Sequence, residues 1–223
     1  MTNKVKLLLI VLSVFVAAVA IASNMGFKLN YALLTNTGGN NANWVSIPYF
    51  DNYANANDVC TDINTVDCTA GTATTVTFFD TATNAYTTYA CGGKNPPAIN
   101  AGRAYSVFAA AGSACTWKLV GSHDDSYDST NGISFTTNTA NNNMNWVAIP
   151  YHTQSANFNG LCIDINADCA NVVTQVTRFD TANNSYVTYA CGGKNPPTVN
   201  AGDGLGIFVS SAPGAACWHP SHY

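Results

Sequence analysis

Residues 77–97 read TFFDTATNAYTTYACGGKNPP, and residues 177–197 read TRFDTANNSYVTYACGGKNPP, with 17 of the 21 aligned positions identical. Working outward from this pair, NWVSIPY at residues 43–49 returns as NWVAIPY at residues 145–151. Trp44 and Trp146 are 102 positions apart, and Cys91 and Cys191 are 100 apart. The chain is a tandem duplication of a unit of about one hundred residues, a size at which one hydrophobic core sustains a domain. The repeats place a first β-domain at residues 31–123, a linker at 124–132 and a second β-domain at 133–223, with an extension strand at 23–30.

Within each unit the pattern is that of strands. Residues 43–49 alternate, with Trp44 and Ser46 on one side and Val45 and Ile47 on the other. Residues 76–79 and 85–90 flank the turn Asp80-Thr81-Ala82-Thr83-Asn84, which reads as a hairpin loop closed by Asp and Asn side chains. Residues 104–109 and 116–120 supply closing strands. One short helix per repeat is expected at 55–63 and 157–165, with Asn55 or Asn57 as the cap in the first copy. The fold class expected is all-β with one short helix per repeat: two tandem homologous β-sandwich or small-barrel domains.

Composition narrows the setting. Only 9% of the 223 residues are charged, and all twelve acidic residues are Asp. Asn, Thr, Ser and Gly carry the polarity, so amides and hydroxyls are expected to wet the surface. A net charge of −4 without a basic patch excludes nucleic acid as a partner class. Two lysines precede an apolar run from Leu7 to Ala22 that ends Ala20-Ile21-Ala22, as in a secretory signal cleaved after Ala22. A membrane contact would arise only if that segment were retained uncleaved. Secretion to the extracellular space or cell surface is the expected localisation.

The cysteines fall four and four: Cys60, Cys68, Cys91 and Cys115, then Cys162, Cys169, Cys191 and Cys217. In an exported chain they read as disulfides, and each set allows three connectivities. The expected pairing is Cys60–Cys68 and Cys91–Cys115, with Cys162–Cys169 and Cys191–Cys217 in the second copy. The first pair of each set would close a short loop, and the second would bridge strands around the Gly-Gly-Lys-Asn-Pro-Pro turn.

Comparing the copies exposes what is not repeated. Met25, Phe27, Leu29, Tyr31 and Leu33 alternate to form an apolar stripe on one face of an N-terminal strand, whereas the second copy has the polar run DDSYDSTNG at 124–132. The stripe must be buried, either in its own domain or by strand addition to a neighbouring subunit. A head-to-tail strand exchange that does not close on itself builds a filament.

Chemistry-bearing motifs are sparse. Neither GxSxG, HExxH, a phosphate-cradling glycine loop nor CxxCH occurs, so no catalytic residue, metal ligand set or cofactor is assigned, and the chain reads as a non-enzyme. His219 and His222 form a weak HxxH, and His123 and His222 are repeat counterparts that read as structural. Asp124, Ser126, Asp128 and Thr130 alternate like calcium-loop ligands but lack the downstream Glu, which favours a solvated linker. Asp62 and Asp67, with Asp164 and Asp168, sit beside cysteines and read as turn residues. Trp44, Tyr49, Phe50, Tyr53, Tyr86, Tyr89 and Trp117 could form a sugar-stacking platform or fill a core. Asn183-Asn184-Ser185 is an N-x-S sequon in the second hairpin loop, which marks Asn183 as a glycosylation candidate.

The motifs at 43–49, 79–83, 120–123 and 221–223 resemble those of uncharacterised secreted bacterial two-repeat β proteins. That resemblance covers residues 23–223 and implies export and a paired β-domain, and it brings no catalytic residues. The apolar N-terminal strand is similar in kind to the donor strands of extracellular fibre subunits. The sequence therefore points first to a structural subunit that polymerises with itself through the N-terminal strand. The alternative is a tandem carbohydrate-binding module, bivalent by duplication.

Overall fold

A computed structural model of the chain describes residues 27–47, 53–121, 132–140, 142–150, 153–214 and 216–220. Met25, Tyr49, Phe50, His123, His152, His222, the leader at 1–22 and the acidic run at 124–130 lie outside the described residues.

The first repeat has strands β1 (Phe27–Leu33), β2 (Ala42–Ser46), β3 (Ala73–Asp80), β4 (Ala85–Ala90), β5 (Ala104–Ala109) and β6 (Cys115–Gly121), with helix α1 (Ala56–Asp62). The second has β7 (Met144–Ala148), helix α2 (Phe158–Asp168), β8 (Val173–Asp180), β9 (Ser185–Ala190) and β10 (Gly204–Val209). Two antiparallel four-stranded sheets result, with the same order: β2-β5-β3-β4 and β7-β10-β8-β9. β1 pairs with β6 in a separate two-stranded ribbon. The all-β expectation holds, and each repeat carries one short helix.

The inner face of the first sheet is covered by α1 and the β1–β6 ribbon. Val45, Val59, Ile63, Val76, Tyr105, Val107, Trp117 and Leu119 form the shared core, and Trp117 and Leu119 are fully shielded. The second repeat copies this arrangement with Val147, Leu161, Ile165, Val176, Leu205, Ile207 and Trp218. Its counterpart of the ribbon is reduced, among the described residues, to one bridge between Ile133 and Trp218.

Helix α1 starts where the amide caps were expected. Asn55 Oδ1 accepts from the Asn57 N–H, and Asp58 Oδ2 accepts from the Asn55 N–H, a reciprocal capping box. The helix then runs into a five-residue π-helical turn, Ile63–Asp67, whereas α2 continues as regular helix to Asp168. The sequence explains the difference: Cys60 and Cys68 are eight positions apart, Cys162 and Cys169 seven. One extra residue is absorbed as a π-bulge, the usual way a helix takes up an insertion without shifting its ends. Val66 is left largely exposed at that bulge.

The disulfide pairing differs from the expected one. Cys60 bonds Cys91 and Cys68 bonds Cys115; Cys162 bonds Cys191 and Cys169 bonds Cys217. The expected partners lie along one helix. At ~1.5 Å rise per residue, eight positions separate Cys60 and Cys68 by about 12 Å, twice the Cα span of a disulfide. Instead the first pair of each repeat ties the helix to the end of the hairpin, and the second ties the helix end to the closing strand.

The N-terminal stripe is used within the chain. β1 pairs with β6 over seven positions, from Phe27 opposite Gly121 to Leu33 opposite Cys115. Leu33 is fully buried, Tyr31 stacks on Trp117 with ring centroids 5.4 Å apart, and Leu29 packs against the first core. The extension and the first strand of the repeat are thus one strand.

Candidate ligand groove between the repeats

The two four-stranded sheets meet through the faces that point away from their helices. On residues 43–47 both sides are covered: Val45 and Ile47 by their own core, and Ser46, 0% exposed, by the other repeat. The Ser46 N–H donates to the Gly202 carbonyl, and at the counterpart position the Ala148 N–H donates to the Gly102 carbonyl, both at 3.0 Å. The Thr81 hydroxyl donates to the Met144 carbonyl at 2.6 Å, and the Thr181 hydroxyl donates to the Ala42 carbonyl. Asn36 Nδ2 donates to the Thr181 carbonyl and Asn138 Nδ2 to the Thr81 carbonyl, both at 2.9 Å. Each contact has a counterpart with the repeats exchanged, so the halves are related by a pseudo-two-fold.

On that axis stand the two tryptophans of the repeated motif, with centroids 4.4 Å apart. Trp44 also meets Tyr186 at 5.8 Å, and Trp146 meets Tyr86 at the same distance. Phe79 and Phe179 pack behind the tyrosines at 5.0 and 5.2 Å. Tyr86 and Tyr186 nonetheless keep 56% and 59% of their surface exposed. Partial burial, and then the neighbouring Tyr186, hold the Tyr86 hydroxyl above the usual phenol range.

This aromatic cluster walls a groove of about 390 Å³ over the first sheet, inside the range of about 300–1,000 Å³ that small-molecule sites occupy. Trp44, Tyr86, Trp146 and Tyr186 form its apolar sides. Thr75, Thr77, Thr88 and Ser106 supply hydroxyls, Asn40 an amide, and among the described residues no lining residue carries a charge. Thr77 and Thr88 bond one another across the β3–β4 pair at 2.9 Å. Ser106 Oγ and Trp146 Nε1 are shielded and have no hydrogen-bond partner. Leaving such a group unpaired costs about 1–3 kcal/mol. Two of the groove's lining residues thus each carry a shielded polar atom without a partner.

A larger cleft of about 490 Å³, which Trp146 also borders, runs past Gly102, Arg103 and Ile133. Thr81, Ser134 and Thr136 bring hydroxyls to it as well, but Asp80 and Arg103 put opposite charges in its lining.

Of the aromatic residues singled out in the sequence, Trp44 and Tyr86 line the groove. Tyr89 and Trp117 belong to the core. Trp146, Phe179 and Tyr186 were missed, although the repeat itself held the signal, because each motif residue meets the other copy's. The candidate acidic residues serve the fold. Asp62 Oδ2 accepts from the Trp117 Nε1–H at 2.7 Å and from the Tyr53 hydroxyl at 2.6 Å, and Asp164 accepts from the Trp218 Nε1–H at 2.9 Å. Asp67 accepts from the Lys118 N–H, and Asp168 from the His219 N–H. Asn183 stands exposed in its hairpin loop, its Nδ2 donating to Asp180 at 2.8 Å. Those bonds from Asn183 hold the Asp180 carboxyl below the usual range.

No family model, curated relative or solved structure matches the chain.

Proposed function

We propose that the protein is an exported binding protein for a neutral carbohydrate, held in the groove between its repeats. The carrying observation is the pairing of two unsatisfied buried groups, Ser106 Oγ and Trp146 Nε1, with flanking tyrosines and an uncharged lining. A polyhydroxylated ring offers flat apolar faces for Tyr86, Tyr186 and Trp44 and hydroxyls for the unpaired donors. An ionic ligand finds no counter-charge among the described lining residues. Four disulfides and the absence of free cysteines suit an oxidising compartment. Among the described residues no helix is long and apolar enough to cross a membrane. The test is a glycan array printed with neutral and acidic oligosaccharides. Binding to neutral glycans that is lost in Tyr86→Ala/Tyr186→Ala supports the reading; an array without neutral hits rejects it.

Polymerisation through the N-terminal strand is the second reading. It is favoured by the β1–β6 ribbon, which among the described residues has no third strand. A strand from a second copy would add along that edge. In-chain burial of Leu33 and the packing of Leu29 and Tyr31 on the first core give this reading less support, since the stripe is already covered within its own chain. Negative-stain images of native material decide it: filaments are expected, and isolated monomers eliminate it.

A further inference from the structure

The groove lies on the first half of a pseudo-symmetric molecule, and at the matching position of the second half Met144 and Thr177 crowd the backbone of Gly206. We infer that the duplicated chain binds one ligand, on its first repeat, and that Met144 closes the second position; the inference rests on the groove being the ligand site. The two sheets share a register. Trp44 faces Ser106 and Ala42 faces Phe108, while Trp146 faces Gly206 and Met144 faces Phe208. The floor made by Ala42 and Ser106 therefore has its counterpart in Met144 and Gly206.

A Cβ built on Gly206 would lie 2.8 Å from Thr177 Cγ2, 2.9 Å from Met144 Sδ and 3.1 Å from Met144 Cγ. The thioether thus lies across the spot where the first repeat carries the Ser106 hydroxyl. Met144 is only 7% exposed there. A long, flexible thioether fills irregular gaps well, and the alanine at position 42 leaves the equivalent gap open. The two replacements belong together, because a side chain at 206 would collide with the methionine as well as with the Thr177 methyl, the one of the two that has a direct counterpart, Thr77, beside Ser106. The second sheet thereby has a crowded floor and no hydroxyl at the position of Ser106. Duplication here does not confer bivalence.

The test exchanges the floors. The probe is the neutral oligosaccharide that gives the strongest wild-type array signal, titrated calorimetrically, with disulfide mapping to confirm folding. Wild type is expected to bind one equivalent. Ala42→Met/Ser106→Gly should lose at least tenfold in affinity, and Met144→Ala/Gly206→Ser should bind two equivalents. Two equivalents in wild type, undiminished binding by Ala42→Met/Ser106→Gly, or one equivalent in a folded Met144→Ala/Gly206→Ser would overturn the one-sided assignment and leave the groove standing. A wild type that binds no array oligosaccharide would instead remove the groove reading itself.

Discussion

Trp44 and Trp146, one from each copy of the same motif, meet ring to ring at 4.4 Å across the pseudo-two-fold. The contact makes the repeats one folded body, since each tryptophan also rests on the other copy's hairpin tyrosine. Replacing Trp146, nearly fully buried, by Ala should cost about 3–5 kcal/mol. A double-mutant cycle with Trp44→Ala should return a coupling of about 0.5–1.5 kcal/mol, read from denaturant midpoints. Additive losses would mean that the repeats are energetically independent.

The disulfides tie each helix to its sheet. Peptide mapping without reduction should recover Cys60 with Cys91, Cys68 with Cys115, Cys162 with Cys191, and Cys169 with Cys217. Removing Cys68 and Cys115 together should cost about 2–5 kcal/mol. Recovery of a Cys60–Cys68 peptide would contradict the helical path between them.

Deleting Val66 should convert the π-helical turn to regular helix, because it restores the seven-residue spacing of the second repeat. The side chain is 71% exposed, so little packing is lost. Stability should change by no more than about 0.5 kcal/mol, with the Cys68–Cys115 bond retained. A variant that unfolds or leaves those cysteines free would show that the bulge is required.

Asp203 sits where the repeats join, bridged to Val45 and 3.8 Å from Arg178. Burial raises its carboxyl above the usual range, although the Asn200 N–H and Arg178 oppose the shift. A carboxyl raised in the folded state contributes stability that is fully present below its unfolded pKa of ~3.9 and is lost as pH rises through the folded value. Asp203→Asn removes that loss. Its stability relative to wild type should therefore rise from mild acid toward neutrality and then level off, in urea titrations at a series of pH values. A relative stability that falls over that range would reverse the assignment.

How much of this was legible in the sequence follows from the range of the interactions. Strands β3 to β6 could be read because alternation and turn chemistry are local, and Asp80 Oδ1 does accept from the Thr83 N–H inside its loop. The helices announced themselves through Asn55 and Asn157. The cysteine pairing was not legible, because it depends on the helix holding Cys60 and Cys68 apart while folding Cys91 against it. The asparagines also misled: Asn43 and Asn145 are buried, each bonding several backbone groups of adjoining segments instead of wetting the surface. The groove was half visible. Trp44 and Tyr86 stood out as aromatic candidates, but their partners Trp146 and Tyr186 reach them only through the packing of two repeats.

The central claim is that a neutral carbohydrate pairs with the unsatisfied groups of the groove, and the indole N–H resonances report on it directly. The chain has four tryptophans, of which Trp117 and Trp218 already donate to Asp62 and Asp164. In a titration with the strongest-binding neutral array oligosaccharide, followed by ¹H–¹⁵N correlation spectra, the account predicts a saturable shift of the Trp146 indole N–H while those of Trp117 and Trp218 stay in place. A Trp146 signal that stays fixed at saturation would contradict it.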